Sequence, residues 1–325
     1  MIFFGHIFDS TDLMKIFTKK YRLPVTFLTI SFLTVFTFFF YFHVMDISVP
    51  FAEIAPDESN PFTAEQKEII YIGIISRYPP EIIYKGYQPI MDYLNSSTNY
   101  SFELKLSSTY QETVEQLVNN EVAGAFLGTY LYIRAHEQYG VKCILKPLNE
   151  NNEPYSSSAV IVKSGSSIKS ISDLKGKKLA LPSSESFSGK WLTDSELAQY
   201  GLSVADLDTI NYFDHHQNVI YQVLKGMYDV GVVKERVAKA YEKKGIRIIR
   251  NSEKIPGPPF VVPKNADPII TKTIKEAFLK IDLKNETHRK LLQSWDSEYS
   301  FGFVEADDSD FNQLRKILRL NGRVK

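Results

Sequence analysis

Cysteine occurs once in the 325 residues, at Cys143, which excludes an internal disulfide framework and any paired CxxC redox or metal motif. Cys143 lies in the apolar run Val141–Leu148, where a buried strand thiol is the expected role. An excess of one charge is missing too. The 38 basic and 38 acidic residues cancel, and with no basic stripe the chain offers nothing to nucleic acid. There is no GxxxxGK[ST] phosphate loop, no GxSxG elbow and no HExxH pair. Asp307, Asp308 and Asp310 lack the glycine and distal glutamate of a calcium loop, so Asp308 reads as a helix N-cap. His215 and His216 are adjacent, so at a helix start they point about 100° apart and chelate poorly. These absences leave no metal site, no cofactor and no catalytic pair to expect.

What the chain does have begins with an uncharged stretch. Leu23 to Val44 holds no Lys, Arg, Asp or Glu and is crowded with Phe, Leu, Ile and Val, long enough at 22 residues to span a hydrocarbon core. Lys15, Lys19, Lys20 and Arg22 precede it, and Asp46, Glu53, Asp57 and Glu58 follow, which places the N-terminus in the cytoplasm. No small-x-small cleavage site follows closely, so residues 1–22 read as cytoplasmic, 23–44 as an uncleaved transmembrane signal anchor and 45–67 as an extended, Pro-containing linker.

From residue 68 onward strands and helices alternate, the pattern of an α/β fold. Ile69–Ile75 is a β-branched run that breaks at Ser76-Arg77-Tyr78-Pro79-Pro80. Helical spacing is read over Tyr87–Leu94, Tyr110–Asn120 and Leu131–Tyr139, with Val114, Leu117 and Val118 on one face of the second. After His215-His216 a further helix carries Val219, Ile220, Val223, Leu224 and Met227 inward. Asp267-Pro268 is a helix start, and Phe311, Leu314, Ile317 and Leu318 form the apolar face of a C-terminal helix. Val114 to Leu127 and Val219 to Val233 repeat one scheme, an apolar-faced helix, a turn and an Ala/Gly/Val strand, which fits two similar lobes.

Ligands of open α/β sheets sit beyond the carboxyl ends of strands. Here those ends are Ser76-Arg77-Tyr78, Gly128-Thr129-Tyr130, Ser183 to Ser188, Asp214-His215-His216 and Lys234-Glu235. The serine turn runs into a helix at Lys190-Trp191-Leu192. Unpaired amides, the helix dipole and the hydroxyls of Ser186 and Ser188 would make it an anion site, whereas a plain N-cap serine is the simpler alternative.

Taken in order, several phrases resemble the phosphate, phosphite and phosphonate branch of the type II periplasmic binding proteins. They are Gly73-Ile74-Ile75-Ser76-Arg77-Tyr78-Pro79-Pro80, Ala125-Phe126-Leu127-Gly128, Ser172-Asp173-Leu174-Lys175-Gly176-Lys177-Lys178-Leu179-Ala180, Ser186-Phe187-Ser188-Gly189, and His216 thirteen residues before Asp229-Val230-Gly231. Phe301-Gly302-Phe303 is similar to that family's closing segment. The resemblance covers about residues 68–320 and implies two α/β lobes, about 68–156 plus 256–325 and about 157–255, joined by two crossing strands that close on a ligand. It implies ligand contacts from Ser186, Phe187, Ser188 and His216, with Tyr78, Gly128 and Thr129 from the first lobe; Arg77, read from its place at a strand end, is a further candidate, with a solvated surface charge as the alternative. Phe187 stands where the family often has Thr, Leu127 where it can have Tyr, and Pro258 where aminoalkylphosphonate binders have Asp, so a small oxyanion is expected in place of an aminophosphonate.

The expectation is therefore a two-lobed solute-binding protein, monomeric and anchored in the inner membrane with its folded domain in the periplasm. It would hold phosphite, phosphate or a phosphonate and deliver it to an ABC permease. A sensing ectodomain acting on a membrane signalling partner is the alternative. An enzyme using His215 or His216 has no second catalytic group at readable spacing.

Overall fold

The structure, a computed structural model, describes residues 31–39 and 67–319, and the chain divides into two units, Met1–Ala64 and Glu65–Lys325. In the first unit residues 31–39 form a helix (α1) with exposed apolar side chains, Phe32 at 72% and Phe36 at 56%. Among the described residues no helix is long and apolar enough to cross a membrane. The rest of the expected span 23–44, residues 1–22 and the linker up to residue 66 lie outside the described residues.

The second unit opens with β1 (Ile69–Ile74), α2 (Pro80–Ser97), β2 (Ser101–Leu106), α3 (Tyr110–Val118), β3 (Gly124–Phe126), α4 (Thr129–Tyr139) and β4 (Lys142–Pro147). Helix α2 is longer than its periodic stretch suggested. Pro80 at its first turn owes no hydrogen bond there, and Ile83, Tyr87, Ile90, Met91 and Leu94 share one buried face. After β5 (Tyr155–Ser156) come β6 (Ser158–Lys163), β7 (Lys178–Pro182), α5 (Phe187–Trp191), a π turn at Leu192–Glu196 and α6 (Leu197–Gln199). Then follow β8 (Thr209–Phe213), α7 (His216–Leu224), β9 (Val230–Lys234), α8 (Glu235–Glu242) and β10 (Ile246–Asn251). The chain returns through β11 (Ile255–Pro256) to β12 (Phe260–Val262), α9 (Pro268–Leu279), α10 (Glu286–Leu292), β13 (Phe303–Glu305) and α11 (Asn312–Arg319).

The strands form two separate sheets, in the orders β13-β4-β12-β3-β1-β2 and β10-β6-β9-β7-β8. In each, the β-α-β units pair in parallel (β1 with β2 and β3, β7 with β8 and β9), while the strands next to the crossings run antiparallel. The crossings themselves, β5 and β11, pair only with each other, Ile255 opposite Ser156 and Pro256 opposite Tyr155. The two-lobed α/β architecture expected from the sequence is what the sheets form.

The first lobe's aromatic core centres on Phe126, with Tyr299 at 4.6 Å, Phe260 at 4.9 Å and Tyr87 at 5.5 Å between ring centroids. A second apolar cluster runs from Leu131 and Ile133 of α4 through Phe311, Leu314 and Leu318 to Phe187, Trp191 and Leu192 of the second lobe. Cys143 is buried there, as expected. Three expectations fail locally. Val118 is exposed, and so is Met227, because α7 ends at Leu224 and Gly226 (φ 73°) turns the chain away. The cap before α11 is Asp307, whose side chain accepts from the Ser309 amide, whereas Asp308 pairs with Arg315 at 2.5 Å.

Candidate anion-binding cavity between the two lobes

The serine turn is built by a close approach. Strand β7 ends at Pro182, and the chain doubles back so that α5 starts against it. A Cβ at Gly189 would overlap the carbonyl oxygen of Ser183 and stand 2.8 Å from that of Pro182, so the fourth residue of Ser-Phe-Ser-Gly has to be glycine. Ser186 is the N-cap: its hydroxyl donates to Ser183 O at 2.8 Å and accepts from the Gly189 amide at 3.1 Å. That is the capping role, and it occupies the hydroxyl. The amides of Phe187 and Ser188 have no acceptor among the described residues. Ser188 is buried, with its hydroxyl 2.6 Å from that of Ser158 on β6. Phe187 is buried and stacks on Trp191.

Two other helices begin at the same place. Gly128 precedes α4, and Thr129, its first residue, donates its hydroxyl to Pro256 O of β11 at 3.2 Å. His215 precedes α7 and sets its Nδ1 2.8 Å from the Arg77 carbonyl oxygen. His216, the first residue of α7, accepts at Nδ1 from the Lys234 amide at 3.3 Å. Burial, reinforced by the Lys234 and Arg77 charges, pushes the His216 pKa down to about 3, so the ring is neutral. With Nδ1 accepting, its proton sits on Nε2, as a donor.

These groups, His215 apart, line one cavity of about 30 Å³ between the lobes, with Gly128 and Thr129 on one side and Phe187, Ser188 and His216 on the other. Among the described residues no Asp or Glu lines it. Three helix starts, buried hydroxyls and a neutral imidazole donor, with no carboxylate among the described residues of the wall, are groups whose chemistry suits an anion. Ser186 also lines it, as do Arg77 and Lys234. Tyr78 lines instead an open groove of about 650 Å³ nearby, with His215 and the Arg134–Glu185 ion pair of 2.5 Å.

Arg77 does not present a free guanidinium. Buried at 3% exposure, it bonds Glu298, Asp296 at 2.9 Å and the Tyr87 hydroxyl at 2.6 Å. Lys234 Nζ reaches both Glu298 oxygens at 2.6 Å, and Arg236 lies 3.8 Å from the same carboxylate. Burial works against the Glu298 charge, yet Lys234, Arg77 and Arg236 together hold its pKa well below the carboxylate range. Lys234 is lowered to about 8 by burial, with Glu298 opposing and Arg77 adding to the fall. In the sequence Lys234 is marked only as a strand end. Glu298, 64 residues further on, carries no local signal at all.

The family of periplasmic substrate-binding proteins of phosphonate ABC transporters matches residues 72–311. The chain belongs to that family. Its members are binding proteins and not enzymes, and the fold they share is the two-lobed one described above. The fold is similar to a binding-protein component of a phosphonate ABC transporter from Pseudomonas aeruginosa (18% identity, TM-score 0.68, 77% of this chain and 85% of that one). It is similar as well to PhnD1 from Prochlorococcus marinus, solved with methylphosphonate (15%, 0.69, 78% and 98%). A Xanthomonas citri protein bound to ATP has the same fold (18%, 0.63, 79% and 100%). At these identities the structures speak for the fold alone, while the family match makes the interlobe cavity the place to look for a ligand.

Proposed function

We propose that the chain captures a small phosphorus oxyanion (phosphite, phosphate or a simple phosphonate such as methylphosphonate) for an ABC permease, while residues 23–44 tether it to the inner membrane. The observation that carries the ligand class is the cavity where α4, α5 and α7 all begin and no carboxylate intrudes. The ligand oxygens take the amides of Phe187 and Ser188, the Ser188 hydroxyl, the His216 Nε2–H, and the amides at Gly128 and Thr129. Arg77 contributes charge through the buried cluster, and the Ser186 hydroxyl holds the turn. Tyr78 walls the neighbouring groove.

The tether is supported by the uncharged residues 23–44, by the basic residues before them, and by the exposed apolar side chains of α1. If the full chain washes off membranes in alkaline carbonate, the tether is wrong.

The ligand class is tested by thermal unfolding of the full chain in detergent against phosphite, phosphate, methylphosphonate, aminoethylphosphonate and sulfate. At about a hundred times Kd a ligand stabilises the folded state by about 2.7 kcal/mol, a shift of several degrees. A shift with a phosphorus anion and none with sulfate is the expected result. No shift with any phosphorus compound at millimolar concentration would sink the proposal.

A further inference from the structure

Glu298 stands in the first lobe, in the segment between α10 and β13, and does not line the ligand cavity. Its carboxylate nevertheless gathers groups from both lobes. Arg77, which follows β1, bonds it from the first lobe, and Lys234, the last residue of β9, bonds it twice at 2.6 Å from the second. Both of those cations line the cavity. Three cations (Arg77, Lys234, Arg236) therefore share two carboxylates (Asp296, Glu298), which leaves one positive charge at the back of an anion site. The Lys234 ammonium, on a flexible stem, would otherwise be free to move into water.

We infer that Glu298 is a positioning residue for ligand capture, fixing the Lys234 ammonium and the Arg77 guanidinium behind the cavity and tying the first lobe to the second across the cleft. The inference rests on the reading of the cavity as the ligand site. Glu298 touches no ligand itself. It acts by holding two cations where their charge meets the bound anion, and by making lobe closure and the assembly of that charge one event. The charged and titratable groups of the cluster are Lys234, Glu298, Asp296, Arg77, Arg236 and His216, together with the phenols of Tyr78, Tyr87, Tyr110 and Tyr299, which burial pushes up. Burial brings Lys234 down into the mildly alkaline range, to about 8.

The test uses the full chain in detergent and two variants, Glu298→Gln and Lys234→Met. Methylphosphonate affinity is measured across about pH 6 to 10, and the Lys234 titration is followed by NMR of lysine-labelled protein. Loss of its counter-ion moves the Lys234 midpoint to lower pH in E298Q and weakens methylphosphonate by at least about tenfold at neutral pH. The alkaline fall in affinity moves down with that midpoint, which a purely structural defect would not do. In K234M the alkaline fall attributable to this residue disappears.

An E298Q chain with an unchanged Lys234 midpoint, or with affinity within about twofold of wild type, overturns the inference. If E298Q does not fold, K234M decides: binding and a pH limb equal to wild type overturn it. Wild-type protein that binds neither methylphosphonate nor phosphate overturns the cargo reading instead, and the Lys234 midpoint alone then decides for or against Glu298.

Discussion

Gly189 lies against the carbonyl of Ser183 with no space for a Cβ between them. The contact sets where α5 begins, and so where the amides of Phe187 and Ser188 stand. Gly189→Ala forces the helix start away from β7. Overpacking of this kind costs about 1–3 kcal/mol, and the loop shift removes methylphosphonate binding outright. Denaturant midpoints and calorimetric titration measure the two effects. A G189A chain with native affinity would mean that the turn does not position the ligand.

His216 is buried neutral, and its depressed pKa gives stability a definite pH sign. The unfolded imidazole titrates near 6.5 and the folded one near 3. Between those values the unfolded state holds more protons, so stability falls as pH drops, by up to about 1.4 kcal/mol per unit. Glu298 adds its own loss mainly below about pH 4.5, where free glutamate is more than half protonated. The window from about pH 6.5 to 4.5 therefore reports His216, and His216→Asn should flatten it in urea titrations. An equal slope in the variant would assign the effect elsewhere.

Much of the fold is legible in the order of the residues alone. Ile69–Ile75 and the Ala/Gly/Val strands have β-branched or small residues that suit strands buried inside a sheet. The serine turn is placed by the Gly that must follow it. Ser186 illustrates the limit: sequence gives a hydroxyl at a helix start, and either a ligand or the helix itself can use it. Only the distances to Ser183 and Gly189 assign it to the cap. Arg77 and Glu298 illustrate another. Their pairing spans 221 positions, and local spacing carries no information about such contacts. The expectation for Met227 fails because helical periodicity does not say where a helix stops.

Thr129 joins α4 to the crossing strand β11 through its hydroxyl on Pro256 O. Thr129→Val keeps the shape and leaves that buried carbonyl without its donor, at a cost of about 1 kcal/mol. Thr129→Ser keeps the donor and should restore most of it. Equal stability of the valine and serine variants would show that the hydroxyl contributes nothing to the hinge.

Ser158 on β6 and Ser188 on α5 are both buried and share one 2.6 Å hydrogen bond. Removing either hydroxyl leaves the other buried without its partner, for about 1–3 kcal/mol each. Removing both leaves nothing unpaired, so Ser158→Ala with Ser188→Ala should cost less than the sum of the single changes, by about 1 kcal/mol or more. The same cycle in methylphosphonate affinity separates two uses of the pair. If Ser188 donates to the ligand while Ser158 orients it, S188A weakens binding more than S158A, and adding S158A to S188A changes affinity little further. Strict additivity in both measurements would mean that the two hydroxyls act independently of each other.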